Sequence, residues 1–438
     1  MKQVDSKWIS FILYALVATS LVLTWRIMSV PSGATNIQTI APTQTSTSIS
    51  NVKSMEEIFS PHRLTFHTQS NTFVASDERI IKHADSFLKN NQMGEIVFDS
   101  TYAKETYDEF ILKRNRIELR FPAAVPIEMI SRYFNSVPEG MGKNSINRIL
   151  ISTAVEEPIY LLDDESRNVY TAERFEGSIE PLMRLYSANK DFYVNANAYS
   201  FKDTIKFLPQ SDVTLNRVDY LVEKQPNSFF IGQLFEDTTE LRDDSNDVFT
   251  IYSDNISELR IHKETGILYY YRNSVEQDDL TAFQQIRDSF HTLKFIDTWT
   301  QASHFEGYDK ENGQVTYRRY LNGMPISGAL DRGLIRMEMK NSGLVDLYYP
   351  TEIIQTPLED REQQIVLPDA QELIVQLNGA GIPYSAIEDM GLGYEWISND
   401  ESTRVASLVP RWFVKLDGTW STVDDAIDAR QRGDADGL

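Results

Sequence analysis

From Trp8 to Trp25 the chain reads WISFILYALVATSLVLTW, eighteen residues without a charge. At 1.5 Å per residue such a run makes a helix of about 27 Å, enough to cross a hydrocarbon core with small flanking additions. The two tryptophans bracket it at the depth where aromatic side chains gather at membrane interfaces. Lys2 and Lys7 precede it with one acid, Asp5, and after Arg26 no charge follows until Lys53. The small basic excess before the run predicts an N-terminus on the cytoplasmic side and the remaining chain outside. A cleaved secretory signal has a shorter apolar core and a small-residue cleavage site. Here the run is longer, and Val30-Pro31-Ser32-Gly33-Ala34 is a poor context for cleavage. The chain has no cysteine, which excludes a lipoprotein anchor, disulfides, thiol catalysis and Cys-ligated metals.

The expected order is therefore a stub at 1–7, a transmembrane helix at 8–28 and a tether at 29–53. Pro31 to Val52 supports the tether: nine of its residues are Ser or Thr and none is charged, so it buries too little to offset the entropy of ordering. The whole chain of 438 residues has a formal charge of −22. Setting aside Lys2, Lys7, Arg26 and Asp5 leaves 39 basic against 63 acidic residues, or −24, outside. That excess disfavours nucleic acid and anionic lipid faces as partners.

The outer part reads as α+β with antiparallel sheets. Asp77 to Asn91 is amphipathic, with Ile80, Ile81, Ala84, Phe87 and Leu88 on one face. Pro126 to Val137 reads as a second helix, and Ser145–Thr153 and Pro158–Leu162 alternate as strands. The stretch from Tyr193 to Tyr271, including Phe229–Phe235, is rich in β signals. Thr281–Leu293 and Ala370–Leu377 read as helices. Leu259–Tyr269 and Ile335–Val345 share a strand, turn, strand pattern that suggests a weak internal repeat. Units are expected at 54–195 (mixed α and β), 196–298 (β-rich) and 299–421 (mixed), followed by an acidic, disordered tail at 422–438.

No strong catalytic motif emerges. The six histidines, His62, His67, His83, His262, His291 and His304, form no H-E-x-x-H or H-x-H pair. Ser86-x-x-Lys89, Ser253-Asp254-Asn255 and Lys263-Glu264-Thr265-Gly266 approach the serine acyltransferase set, but Ser86 falls deep within the amphipathic helix. Asp243 to Asp254 has acidic spacing near that of a calcium loop, but Val248 stands where the turn needs glycine. No cofactor-binding fingerprint and no metal-ligand set is expected.

The chain resembles the YycH (WalH) family, membrane-anchored accessory regulators of the WalK–WalR two-component system in Gram-positive bacteria. The resemblance rests on Leu21-Val-Leu-Thr-Trp25, Ile58-Phe-Ser-Pro-His-Arg-Leu64, Phe229-Phe-Ile-Gly-Gln-Leu-Phe235, Tyr317-Arg-Arg-Tyr-Leu-Asn-Gly-Met-Pro325 and Val409-Pro-Arg-Trp412. It implies a single-pass protein of the cell membrane with its folded domains outside. It also implies partnership with the sensor kinase WalK (YycG) and the sister protein YycI, and a role in controlling cell-wall metabolism genes. The C-terminal region is similar to YycI and, more distantly, to PepSY modules. The leading expectation is a non-enzymatic regulator. Its helix would pack on the kinase's helices through Ala15, Ala18, Thr19 and Val22, where small residues let backbones approach. Ser20 and Thr24 form a second such face. The alternatives are a binding module for a peptide or wall fragment, and an envelope hydrolase.

Overall fold

Asp77 accepts hydrogen bonds from the backbone N–H groups of Arg79 and Ile80 and so caps the amphipathic helix that the sequence predicts. That helix, Glu78–Asn90, buries Ile80, Ile81, Ala84 and Leu88 and turns its charges outward. It lies against a large antiparallel sheet. The computed structural model describes Val17 and residues 52–435, apart from 155, 203, 275–279, 359–360 and 400–401. The expected membrane helix and tether therefore lie almost wholly outside the described residues. Among the described residues no helix is long and apolar enough to cross a membrane. The chain divides into two units, Met1–Thr45 and Ser46–Leu438, and all elements named below belong to the second.

The first sheet contains β1 (Arg63–His67), β2 (Thr72–Ala75), β3 (Ile96–Thr101), β4 (Arg116–Pro126), β5 (Ser145–Ser152), β6 (Ile159–Asp163), β7 (Asn168–Ala172), β8 (Val194–Ser200) and β9 (Ile205–Pro209). Their spatial order is β3-β7-β6-β5-β4-β1-β2-β8-β9. Short helices α1 (Met55–Ile58), α2 (Glu78–Asn90), α3 (Lys104–Leu112) and α4 (Glu180–Ala188) accompany it. Alternation along the strands sends Leu64, Phe66, Ile117, Leu119, Ile149 and Ile151 to one face, within the main core. The other face carries Arg63, Thr65, His67, Arg116, Glu118, Arg120 and Arg148, which are mostly buried.

The second sheet runs from β10 (Val213–Lys224) to β24 (Thr419–Thr422). Between them come helix α5 (Asn227–Leu234), β11 (Arg242–Asp243), β12 (Phe249–Ser253), β13 (Ser257–His262), β14 (Ile267–Arg272) and helix α6 (Ala282–Ile296). Next are β15 (Ala302–Asp309), β16 (Gln314–Leu321), β17 (Met324–Ser327), β18 (Leu334–Lys340), β19 (Gly343–Pro350), β20 (Glu352–Pro357) and β21 (Gln363–Leu367). Helix α7 (Ala370–Gly379), β22 (Asp389–Asn399) and β23 (Ser402–Leu416) follow, and helix α8 (Val423–Ala435) ends the described chain. Strand pairing in the second sheet is antiparallel except for β17 with β22. The main core crosses from one sheet to the other: Phe59 stacks at 5.2 Å from Phe305 of β15 and 6.4 Å from Phe290 of α6.

Four local expectations change. Pro126–Val137 is not an α-helix. Strand β4 runs to Pro126, and a 3-10 stretch Ile127–Tyr133 follows. Its Ile127, Ile130 and Tyr133 are buried at i, i+3 and i+6, the spacing that lines up on a 3-10 helix. Phe229–Phe235 is largely helix α5, with Pro226 preceding it and Phe230 buried against Tyr349 at 5.4 Å. A short apolar run has no period to separate helix from strand. Lys104–Leu112, unassigned from sequence, is helix α3, with Tyr107 and Ile111 turned inward at i, i+4. The acidic tail is not disordered through Ala435. Thr422 accepts from the Asp425 N–H and donates to its carboxylate, and Val423 and Ala426 bury themselves in a core that includes Leu373 and Leu377 of α7.

Candidate functional site

Ser60-Pro61-His62-Arg63 leads into β1, with the His62 N–H donating to the Arg120 carbonyl at 2.9 Å. Successive side chains there point to opposite sides, and the two residues line different cavities. His62 lines a cavity of about 310 Å³ bounded by α1, α2 and the start of β15. Arg63 lines a groove of about 660 Å³ between the first sheet and strands β10, β17 and β22 of the second. Ser76 and Glu78 border both.

The divider is the two-residue turn Asn322-Gly323 between β16 and β17. Both residues have positive φ, 50° and 73°, as an Asn-Gly hairpin turn requires. The turn presses so closely on α2's entry that a Cβ at Gly323 would lie 1.7 Å from the Ser76 carbonyl oxygen. Two of the five segments behind the family resemblance, Ile58–Leu64 and Tyr317–Pro325, thus meet at this junction. Val409–Trp412 packs elsewhere, with the Trp412 indole N–H donating to the Pro368 carbonyl at 3.0 Å.

In the smaller cavity His62, Ser303 and His304 come together. Their Nδ1, Oγ and Nδ1 atoms are buried and have no hydrogen-bond partner among the described residues. Tyr320 sits beneath, its ring 6.0 Å from His62 and 4.7 Å from His304. Its hydroxyl donates to Glu306 at 3.2 Å. Burial, with Arg63 nearby, lowers the His62 imidazole well below its ordinary range. Burial, aided by Lys53 and Lys82, brings His304 down to about 4. Both rings are neutral at pH 7.

On the polar face of the first sheet, Arg148 holds Asp164 through two bonds of 2.8 Å and Glu118 at 2.5 Å. Arg120 also reaches Asp164, at 3.2 Å. The β8–β9 turn closes over them: Ile205 O accepts from Arg120, and Thr204 donates to Asp164 at 2.6 Å. Lys206 pairs with Asp389 at 2.6 Å. Thr72, His67 and Glu118 form a hydroxyl, imidazole, carboxylate chain with steps of 3.2 and 3.4 Å. However, Thr72 already receives Arg114 at 3.0 Å, and the adjoining cavity holds only about 90 Å³, below the size of ligand pockets.

The sequence-derived candidates are scattered. Ser86 and Lys89 both line the smaller cavity, but Ser86 is mid-helix and Lys89 is held by Glu56. Ser253 ends β12 while Lys263 follows β13, about a strand's length (~17 Å) away. Asp243 and Asp254 accept N–H bonds within their own turns. No cluster of three or more metal-ligating residues occurs among the described residues. Ala15, Ala18, Thr19 and Val22 lie outside them. The Asn322-Gly323 pair between two strand-like runs is the sequence signal that could have marked this turn. Arg63 and Tyr320 fall within the segments Ile58–Leu64 and Tyr317–Pro325 but are not distinguished there, and Ser303 carries no sequence signal.

Two α+β layers share one core, and buried polar groups face the cavities between them. The patterns described as YycH protein, N-terminal domain, and YycH protein, C-terminal domain, match residues 7–190 and 203–430. The chain belongs to the YycH family. It is 19% identical over 319 residues, 69% of each chain, to the "Two-component system WalR/WalK regulatory protein YycH" of Bacillus subtilis (strain 168). The crystal structure of YycH from Bacillus subtilis matches with a TM-score of 0.71 and 17% identity, covering 85% of this chain and 97% of that one. The two therefore share a fold.

Proposed function

We propose that this protein is a non-enzymatic, membrane-anchored regulator of a WalR/WalK-type two-component system. The observation that carries this reading is the family match across both halves of the chain, together with the name its Bacillus subtilis relative bears. The uncharged run Trp8–Trp25 supplies the anchor, with the N-terminus inside and the two sheets outside. The partners are the sensor kinase WalK (YycG) and YycI. Regulation requires unequal contacts with two kinase states, since equal contacts shift no equilibrium. The lipid-embedded contact is the small-residue face Ala15, Ala18, Thr19 and Val22.

The test replaces Ala15 and Thr19 together by leucine in the full-length chain and measures kinase recovered by affinity capture from membranes. Capture should fall severalfold while the chain still inserts. Undiminished capture refutes the helix contact.

A further inference from the structure

Arg63 is the odd cation in an otherwise matched set. Around it on the polar face stand Arg120, Arg148 and Lys206, and the carboxylates Glu118, Asp164 and Asp389. Asp164 takes Arg120 and Arg148, Glu118 takes Arg148, and Asp389 takes Lys206. Among the described residues the Arg63 side chain makes no ion pair and no hydrogen bond, and its Nε is shielded from solvent. Among these groups four cations meet three carboxylates, and the groove's own lining adds Arg79, Asp77 and Glu78, with Asp77 held by Arg79. Burial draws the Arg63 guanidinium below its ordinary proton affinity, and the more distant acids offset only part of this. Arg148, in contact with two carboxylates, moves the opposite way. Arg63 is only partly buried, so its guanidinium opens on the adjoining cavity, which offers a place for a counter-ion.

The cavity is the 660 Å³ groove, within the size range of small-molecule sites. Away from Arg63 the groove has an apolar stretch formed by Val74, Phe207, Leu208, Leu215, Met324 and Leu392, and a charged end formed by Asp77, Glu78 and Arg79. An extended peptide laid there would leave backbone N–H and C=O groups facing apolar side chains, which is costly. A ligand with one acidic head and an apolar body satisfies both Arg63 and the apolar stretch.

We propose that this groove binds an amphipathic acid, with its carboxylate or phosphate on Arg63 and its chain between the two sheets. The acidic head would pair with Arg63, which has no ion pair among the described residues, although the protein as a whole is strongly acidic. The site does not depend on the regulatory reading given above.

The test is calorimetric titration of the full-length chain in phosphatidylcholine nanodiscs. Octanoate and octyl phosphate should bind saturably at one site, and octanol and octylammonium should bind at least tenfold more weakly. Arg63→Met should weaken octanoate ten- to hundredfold, the range of a lost charged hydrogen bond. Arg63→Lys should recover part of the loss. A separate substitution, Met324→Asp, should weaken octanoate with Arg63 intact. Nanodiscs containing phosphatidate supply a membrane source of the same headgroup: competition with octanoate identifies a lipid, and its absence a free amphiphile. Equal binding of octanol, unchanged affinity in Arg63→Met, or binding of an acidic tetrapeptide but not octanoate would overturn the proposal.

Discussion

Arg148 and Arg63 lie on the same polar face of one sheet, and replacing each by methionine should have opposite consequences. Arg148 is fully buried and neutralises Glu118 and Asp164, whose side chains are 1% and 6% exposed. Methionine keeps much of the apolar stem but strands both carboxylates. Asp164 retains Arg120, but Glu118 keeps only His67. Breaking a buried pair from one side costs about 3–5 kcal/mol. A unit the size of Ser46–Leu438 unfolds with an entropy of roughly 0.8 kcal/mol/K, so Tm should drop by about 5 °C. Arg63→Met removes a charge that makes no ion pair among the described residues, so Tm should hold or rise. Scanning calorimetry of the purified full-length chain at pH 7, without added amphiphile, compares the two. If Arg63→Met melts as far below wild type as Arg148→Met, Arg63 has a structural counter-ion and the mismatch argument collapses.

Other perturbations follow from single contacts. His62 and His304 are held neutral in the fold while an unfolded histidine titrates near 6.5. The unfolded chain therefore binds more protons between pH 6.5 and about 4, and stability should fall as pH drops through that window. In His304→Gln that decline should be shallower by up to roughly 3 kcal/mol, and melting curves at stepped pH would show it; an identical slope means His304 does not titrate as described. Gly323→Ala adds a Cβ against the Ser76 carbonyl at positive φ and should cost more than 1 kcal/mol, read by denaturant midpoint; a neutral effect means the turn is not pressed on α2. Truncation before Val423 removes the Val423 and Ala426 contacts and should cost about 2–3 kcal/mol of buried area. Unchanged melting would show the helix contributes nothing.

Legibility followed periodicity. The helix Glu78–Asn90 was readable because five apolar residues keep one face over three turns, and α6 because Phe283, Ile286, Phe290 and Leu293 do the same. Residues 229–235 misled because a short apolar run has no period to separate helix from strand, and 126–137 because Ile127, Ile130 and Tyr133 follow a 3-10 spacing. The tail misled because its charges mask two buried residues, Val423 and Ala426. The junction was half legible. The segments around His62 and Tyr320 stood out as blocks, but only tertiary structure brings them together, and Arg63's lack of a partner is a property of three-dimensional charge matching. The expected membrane-spanning run is legible as composition alone.

The central claim is that this chain acts on a sensor kinase from the outer side of the membrane. Crosslinking in native membranes, followed by mass spectrometry of the captured full-length chain, tests it most directly. The account expects peptides of a WalK-type kinase joined to this chain, with at least one link from residues beyond the tether. Abundant links to other membrane proteins and none to a kinase present in the same membranes would contradict it.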